Sequence, residues 1–146
     1  MRGIVLLLIT IFIFFLTSLS MAFAQVQVQM RAIKASNVEQ GIDPSLKDIH
    51  SELGSLFSFT SYRLLRDEKL NLTLNQPVSI SLRSGRFIEV TLVGLRRNVA
   101  ELRIRVVRET TDILNTQVRL SPGRTVLIGG PRLREGVIIY ALYARF

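Results

Sequence analysis

The chain has 146 residues, with 19 Lys+Arg against 11 Asp+Glu, a formal net charge of +8, one histidine and no cysteine. The missing thiols exclude disulfide staples, cysteine nucleophiles and thiolate metal centres, and a lone histidine cannot assemble a metal cage. Almost all the cations are arginine and they are dispersed along the chain, which fits either an anionic envelope partner or ordinary solvated strands.

Arg2 precedes a run, Ile4 to Leu16, that is apolar apart from Thr10. Thr17-Ser18-Leu19-Ser20 follows, and then Ala22-Phe23-Ala24, which puts small residues where a signal peptidase accepts them. Residues 1–24 are therefore expected to be an export signal cleaved after Ala24. The alternative is an uncleaved anchor, because Ile4 to Ala24 approaches the roughly 20 residues of a membrane span. With no cysteine after the apolar run, lipid attachment there is excluded. Residues 25–146 suffice for a single β-rich domain with a real core, expected in the periplasm or envelope.

Gln25 to Ala32 alternates polar and apolar residues, the pattern of a half-buried strand. After a transition at Asn37 to Asp43, with Gly41 as a turn residue, the period changes. Asp43 can cap, Pro44 suits a first turn, and Leu46, Ile49, Leu53, Leu56 and Phe57 recur at three- and four-residue steps. A helix over residues 44–57 is expected, the one helix of the exported domain.

Asp67-Glu68 is read as a turn before a strand carrying Leu70, Leu72 and Leu74 on one face. Val78, Ile80 and Leu82 repeat the alternation up to a turn at Ser84-Gly85, and Ile88, Val90 and Leu92 continue it to a turn at Arg96-Arg97-Asn98. Ala100, Leu102, Ile104 and Val106 then face one way, with Glu101, Arg103 and Arg105 the other. Ile113 to Leu120 forms a further strand, closed by Ser121-Pro122-Gly123. Val137 to Ala144 is apolar on both faces and is expected at the centre of a sheet, covered on both sides. The fold class is mainly β: an antiparallel sandwich or open barrel with one N-terminal amphipathic helix. The terminal Phe146 has the form of an outer-membrane barrel ending, but the short strands, the helix and the missing aromatic girdles argue against a membrane barrel.

Few residues offer chemistry. His50 falls beside the apolar stripe of the helix and is expected on the surface. Glu89, Glu101 and Glu109 alternate with arginines, where cross-strand pairing accounts for them. Serines and threonines lack a base and the strand–turn–helix context of a nucleophile elbow. No catalytic residue, metal ligand or cofactor is assigned, although a hydrolase built on carboxylates alone stays open. Asn71-Leu72-Thr73 matches a glycosylation sequon of low specificity. Nucleic acid is disfavoured, since no basic run is interleaved with aromatics.

The candidate binding residues are outward arginines: Arg103 and Arg105 on one strand, Arg119 on the next, and Arg96 and Arg97 at a loop tip. Guanidinium forks at these positions suit phosphate or carboxylate groups. The glycine stretch Ser121 to Pro131 (SPGRTVLIGGP) fails as a phosphate loop, because no Lys-Ser/Thr and no helix follow. It reads as a turn at Gly123, a strand Thr125 to Ile128, and an ending at Gly129-Gly130-Pro131. Leu114 to Pro131, through Thr116, Val118, Gly123, Thr125, Val126, Ile128, Gly129 and Gly130, resembles a β-hairpin motif in the C-terminal domain of bacterial secretins. This chain lacks the leucine- and proline-rich segment that follows the Gly-Gly there, so no pore function is carried over. The functional expectation is an exported, non-catalytic binding or structural module, meeting another envelope protein or an anionic envelope component. A secretin-like or assembly-associated outer-membrane component is the alternative.

Overall fold

Inward-facing apolar residues at every second position build two sheets. The computed structural model describes residues 1–16, 25–83 and 85–146. Helix α1 spans Arg2–Leu16 and is exposed along Met1 to Ile13. The Ala22-Phe23-Ala24 cleavage motif lies outside the described residues, as does Ser84 of the Ser84-Gly85 turn. Among the described residues no helix is long and apolar enough to cross a membrane.

The strands are β1 (Gln25–Ser36), β2 (Gly41–Ile42), β3 (Ser61–Thr73), β4 (Val78–Ser81), β5 (Arg86–Arg96), β6 (Val99–Arg108), β7 (Thr111–Leu120), β8 (Thr125–Leu133) and β9 (Gly136–Ala144). They form a five-stranded sheet in the order β2-β3-β1-β9-β8 and a four-stranded sheet in the order β4-β5-β6-β7. Every pairing within the sheets is antiparallel except the short β2–β3 contact. The fold is thus the expected mainly β arrangement, with the two sheets not closed into a barrel.

The main core fills the space between the sheets. Val26, Val28, Met30 and Ala32 of β1 and Tyr140 and Leu142 of β9 face Ile88, Val90 and Leu92 of β5 and Leu102, Ile104 and Val106 of β6. A second cluster lies on the other side of the five-stranded sheet. There Leu46, Ile49 and Leu53 pack on Ile33, Ala35, Ile139 and Ala141. Strand β9 is therefore covered on both faces, as its continuous apolar sequence requires. β1 alternates only as far as Met30 and is then buried on both sides, because the helical segment caps its far half.

The expected helix over residues 44–57 is divided. Pro44–Ile49 is a 3-10 segment and His50–Leu56 is helix α2. Asp43 caps it as expected: its Oδ1 accepts from the Ser45 amide at 3.0 Å and from Ser45 Oγ at 2.7 Å. Its Oδ2 accepts from the Leu64 amide at 3.3 Å, which ties the cap to β3.

Two expected turns are absent. Asp67-Glu68 lies inside β3, which runs unbroken from Ser61; its early alternation is obscured because Leu65 is an extra residue between the Ala32–Arg66 and Ile33–Leu64 pairs. Gly129-Gly130-Pro131 does not end β8. The strand continues to Leu133 with a register shift between Gly129 and Arg132, and a bulge is where a sheet accepts proline. At Gly130 a Cβ would stand 2.6 Å from the Tyr140 ring and 2.7 Å from the Ile138 carbonyl oxygen, so only glycine lets the ring lie there.

The Leu114 to Pro131 segment is also not a hairpin. β7 belongs to one sheet and β8 to the other, and the turn at Gly123 (φ 70°) is the corner between them. The Gly123 amide donates to the Ala144 carbonyl at 3.1 Å, which anchors that corner to β9.

Candidate functional site

The five candidate arginines fall into two places. Arg96 and Arg97 occupy the exposed tip of the β5–β6 hairpin, where Arg97 (φ 49°) and Asn98 (φ 65°) form a two-residue turn with both central φ angles positive. Arg103, Arg105 and Arg119 share the outer face of the four-stranded sheet, with Arg103 opposite Gln117 and Arg119 opposite Glu101.

Two of these three are already matched. Arg105 Nε donates to both Asp112 carboxylate oxygens at 2.9 Å, and its Nη1 stands 3.5 Å from Glu89 Oε1. The Asp112 hydrogen bond, then the charges of Asp112 and Glu89, raise the Arg105 pKa above its ordinary value. Arg119 Nε lies 3.3 Å from Glu101 Oε1. Glu89 and Glu101 thus make the expected cross-strand pairs, whereas Glu109 sits in the β6–β7 turn at φ 58°. Arg103 has no carboxylate partner among the described residues and borders an open groove of about 660 Å³ with Thr91, Asn75 and Asn115. His50 is exposed, as its place beside the stripe implied. Among the described residues no group of three or more His, Asp or Glu side chains is placed to hold a metal ion.

A more enclosed site lies between the sheets, at the end of the sandwich where the β4–β5 hairpin closes over β1 and β9. It is a cleft of about 470 Å³. Its apolar lining comes from Ala32, Leu65, Leu82, Leu133 and Ile138, and its charged lining from Lys34, Arg66, Arg83 and Arg86. Among the described residues no carboxylate lines it. Such a volume lies within the usual range of small-molecule sites.

The cations reach the cleft because they occupy inward positions. Arg86 continues the core row of Ile88, Val90 and Leu92 on β5, and Lys34 continues the row of Met30 and Ala32 on β1. Arg66 stands directly opposite Ala32. At this end of the sandwich the inward row changes from aliphatic to cationic. Lys34 Nζ is 4.0 Å from Glu135 and Arg66 is 3.1 Å from Glu68, both partners being substantially exposed. Among the described residues Arg83 and Arg86 have no ion-pair partner, and Arg86 Nε is buried with no hydrogen-bond partner.

Tyr140 is fully buried on the same side of β9 as Ile138, and its hydroxyl also lacks a partner. Burial pushes its pKa up to about 12, opposed by the nearby positive charge of Arg86. The hydroxyl therefore keeps its proton near neutral pH and remains a donor. Unpartnered buried polar atoms are uncommon and costly in native folds; the Arg86 Nε, on a residue that lines the cleft, is such an atom and distinguishes it from the outer arginine face.

None of the five outward arginines lines this cleft. The signal was present in the sequence as a cation in the apolar phase of two strands, at Arg86 and Lys34. What it lacked was the partner sheet, since only the closing of one sheet over the other brings those two positions together. Compared with protein-family models, with curated proteins and with solved structures, the chain finds no match.

Proposed function

We propose that this protein is an exported, non-catalytic binding module of the cell envelope that takes an anionic group into the cleft between its sheets. One observation carries the reading: among the described residues Arg86, on a core-facing position, presents a buried and unpartnered Nε beside a cleft lined by four cations and no carboxylate. In a partly desolvated site, charge-assisted hydrogen bonds from guanidinium to phosphate or carboxylate are stronger than neutral ones. Of the partner classes the sequence suggested, an anionic envelope component fits this cleft better than a protein docked on the outer arginines, because Arg83 and Arg86 have no ion-pair partner among the described residues and one of them presents a buried, unpartnered donor.

Export is supported by the apolar run after Arg2 and by the Ala22-Phe23-Ala24 motif. Protein isolated from the envelope is expected to begin at Gln25, as read by intact mass; a product retaining residues 1–24 would instead establish an anchored form.

Anion binding is tested by calorimetry with pyrophosphate and with a short carboxylate. Replacing Arg83 and Arg86 together by alanine is expected to weaken binding by about tenfold or more, the scale of one lost charged hydrogen bond. The Arg103→Ala plus Arg105→Ala protein is expected to bind as the parent does. The reverse pattern would move the site to the outer face, and no binding by the parent protein would overturn the reading.

A further inference from the structure

The cleft has two chemically distinct parts, and a small inorganic anion satisfies only one. Its charged lining is Lys34, Arg66, Arg83 and Arg86, while Ala32, Leu82, Leu133 and Ile138 belong to, or pack against, the main core. An anion held by the arginines alone would leave the apolar wall against water, which is unfavourable for hydrocarbon surface. A ligand with a hydrocarbon chain behind its charged group covers both.

We infer that the ligand is a single-chain anionic amphiphile, a carboxylate or phosphate monoester carrying an alkyl chain, with its head on Arg83 and Arg86 and its chain against Leu82, Leu133 and Ile138. This deepens the anion-binding reading and rests on it. The head group accepts a hydrogen bond from a donor that has no partner among the described residues. Arg86 Nε, on a residue that lines the cleft, is that donor. The chain contributes by burial alone, at about fourfold in affinity for each methylene removed from water.

The experiment compares hexanoate, decanoate, decyl phosphate and decyltrimethylammonium, all below their micelle concentrations. They are titrated into protein isolated from the envelope in the form the cell leaves it. Decanoate and decyl phosphate are expected to bind about tenfold or more tightly than hexanoate, and decyltrimethylammonium to bind far more weakly than either. Arg86→Gln is expected to weaken decanoate binding by about tenfold with an unchanged melting temperature. Equal binding of hexanoate and decanoate would overturn the amphiphile inference and leave the anion site standing. Equal binding of decyltrimethylammonium and decanoate would reduce the cleft to a nonspecific apolar surface and overturn both readings. Binding of none of the four probes would also overturn both.

Discussion

Gly136→Ala is expected to destabilise the protein by about 3 kcal/mol, at the upper end of the usual cost of overpacking. Gly136 opens β9 directly opposite Ser36 of β1. A Cβ there would collide with the Ala35 carbonyl oxygen and stand 3.0 Å from the Ala35 carbonyl carbon and 3.2 Å from the Ser36 Cα. All three are backbone atoms of a central strand, so no side-chain rotation relieves the clash. Relief requires β1 and β9 to part where they enter the five-stranded sheet, over the cluster of Ile33, Ala35 and Ile139. Thermal unfolding is expected to fall by roughly 10 °C for a domain of this size. Gly54→Ala is the contrast: it lies in α2 with nothing within 4 Å of a built Cβ, and alanine there is expected to add about 0.5 to 1 kcal/mol. If both substitutions shift melting alike, the collision at Ala35 is not what governs the site.

The second large effect concerns the attachment of the helical segment to the sheet. Arg31 is 5% exposed and makes a two-pronged pair with Asp48, Nη1 to Oδ1 at 2.9 Å and Nη2 to Oδ2 at 2.8 Å. Asp48→Ala leaves a covered guanidinium without its carboxylate. Breaking a fully buried pair this way costs about 3 to 5 kcal/mol. The Asp48 side chain is 61% exposed, so water reaches one side of the pair; discounting for that screening gives about 2 kcal/mol. Arg31→Met together with Asp48→Ala is expected to recover most of the loss, because the uncompensated charge is removed as well. A cost below about 0.5 kcal/mol for Asp48→Ala would show the pair to be an ordinary surface bridge.

The same pair sets an acid limit. The hydrogen bonds from Arg31 hold the Asp48 carboxyl below its ordinary value of 3.8, with burial opposing them. Hydrogen bonds from the Ser45 hydroxyl and then the Ser45 amide lower Asp43 likewise. A carboxyl lowered in the folded state contributes stability that is complete above its unfolded value and is lost as pH falls through the folded value. Stability is therefore expected to hold steady at mildly acidic pH and to fall below about pH 4. The fall should be shallower in Asp48→Ala, as followed by denaturant midpoints across that range.

Much of the architecture was legible one strand at a time. The Leu102, Ile104 and Val106 row, the Ile88, Val90 and Leu92 row, and the two-sided apolar β9 each occupy the position that their period requires. The errors lie where an extra residue breaks the period. Leu65 disguised the first half of β3 as something other than strand, and the bulge at Gly130-Pro131 disguised the last third of β8 as a turn. Glycine and proline favour both bulges and turns, so these residue types alone do not separate the two.

The candidate site shows the same division. Residue type and alternation determined which positions look inward and which outward, because side chains on a strand point to opposite faces at every step. That local rule placed Arg103, Arg105 and Arg119 together on one outer face. It carries no information about which inward row meets which, since the sheets pack through contacts distant in the sequence. Only the tertiary structure set Arg86 of one sheet beside Lys34 and Tyr140 of the other. Only it covered Arg31 with the helical segment and made the turn at Gly123 a corner between sheets.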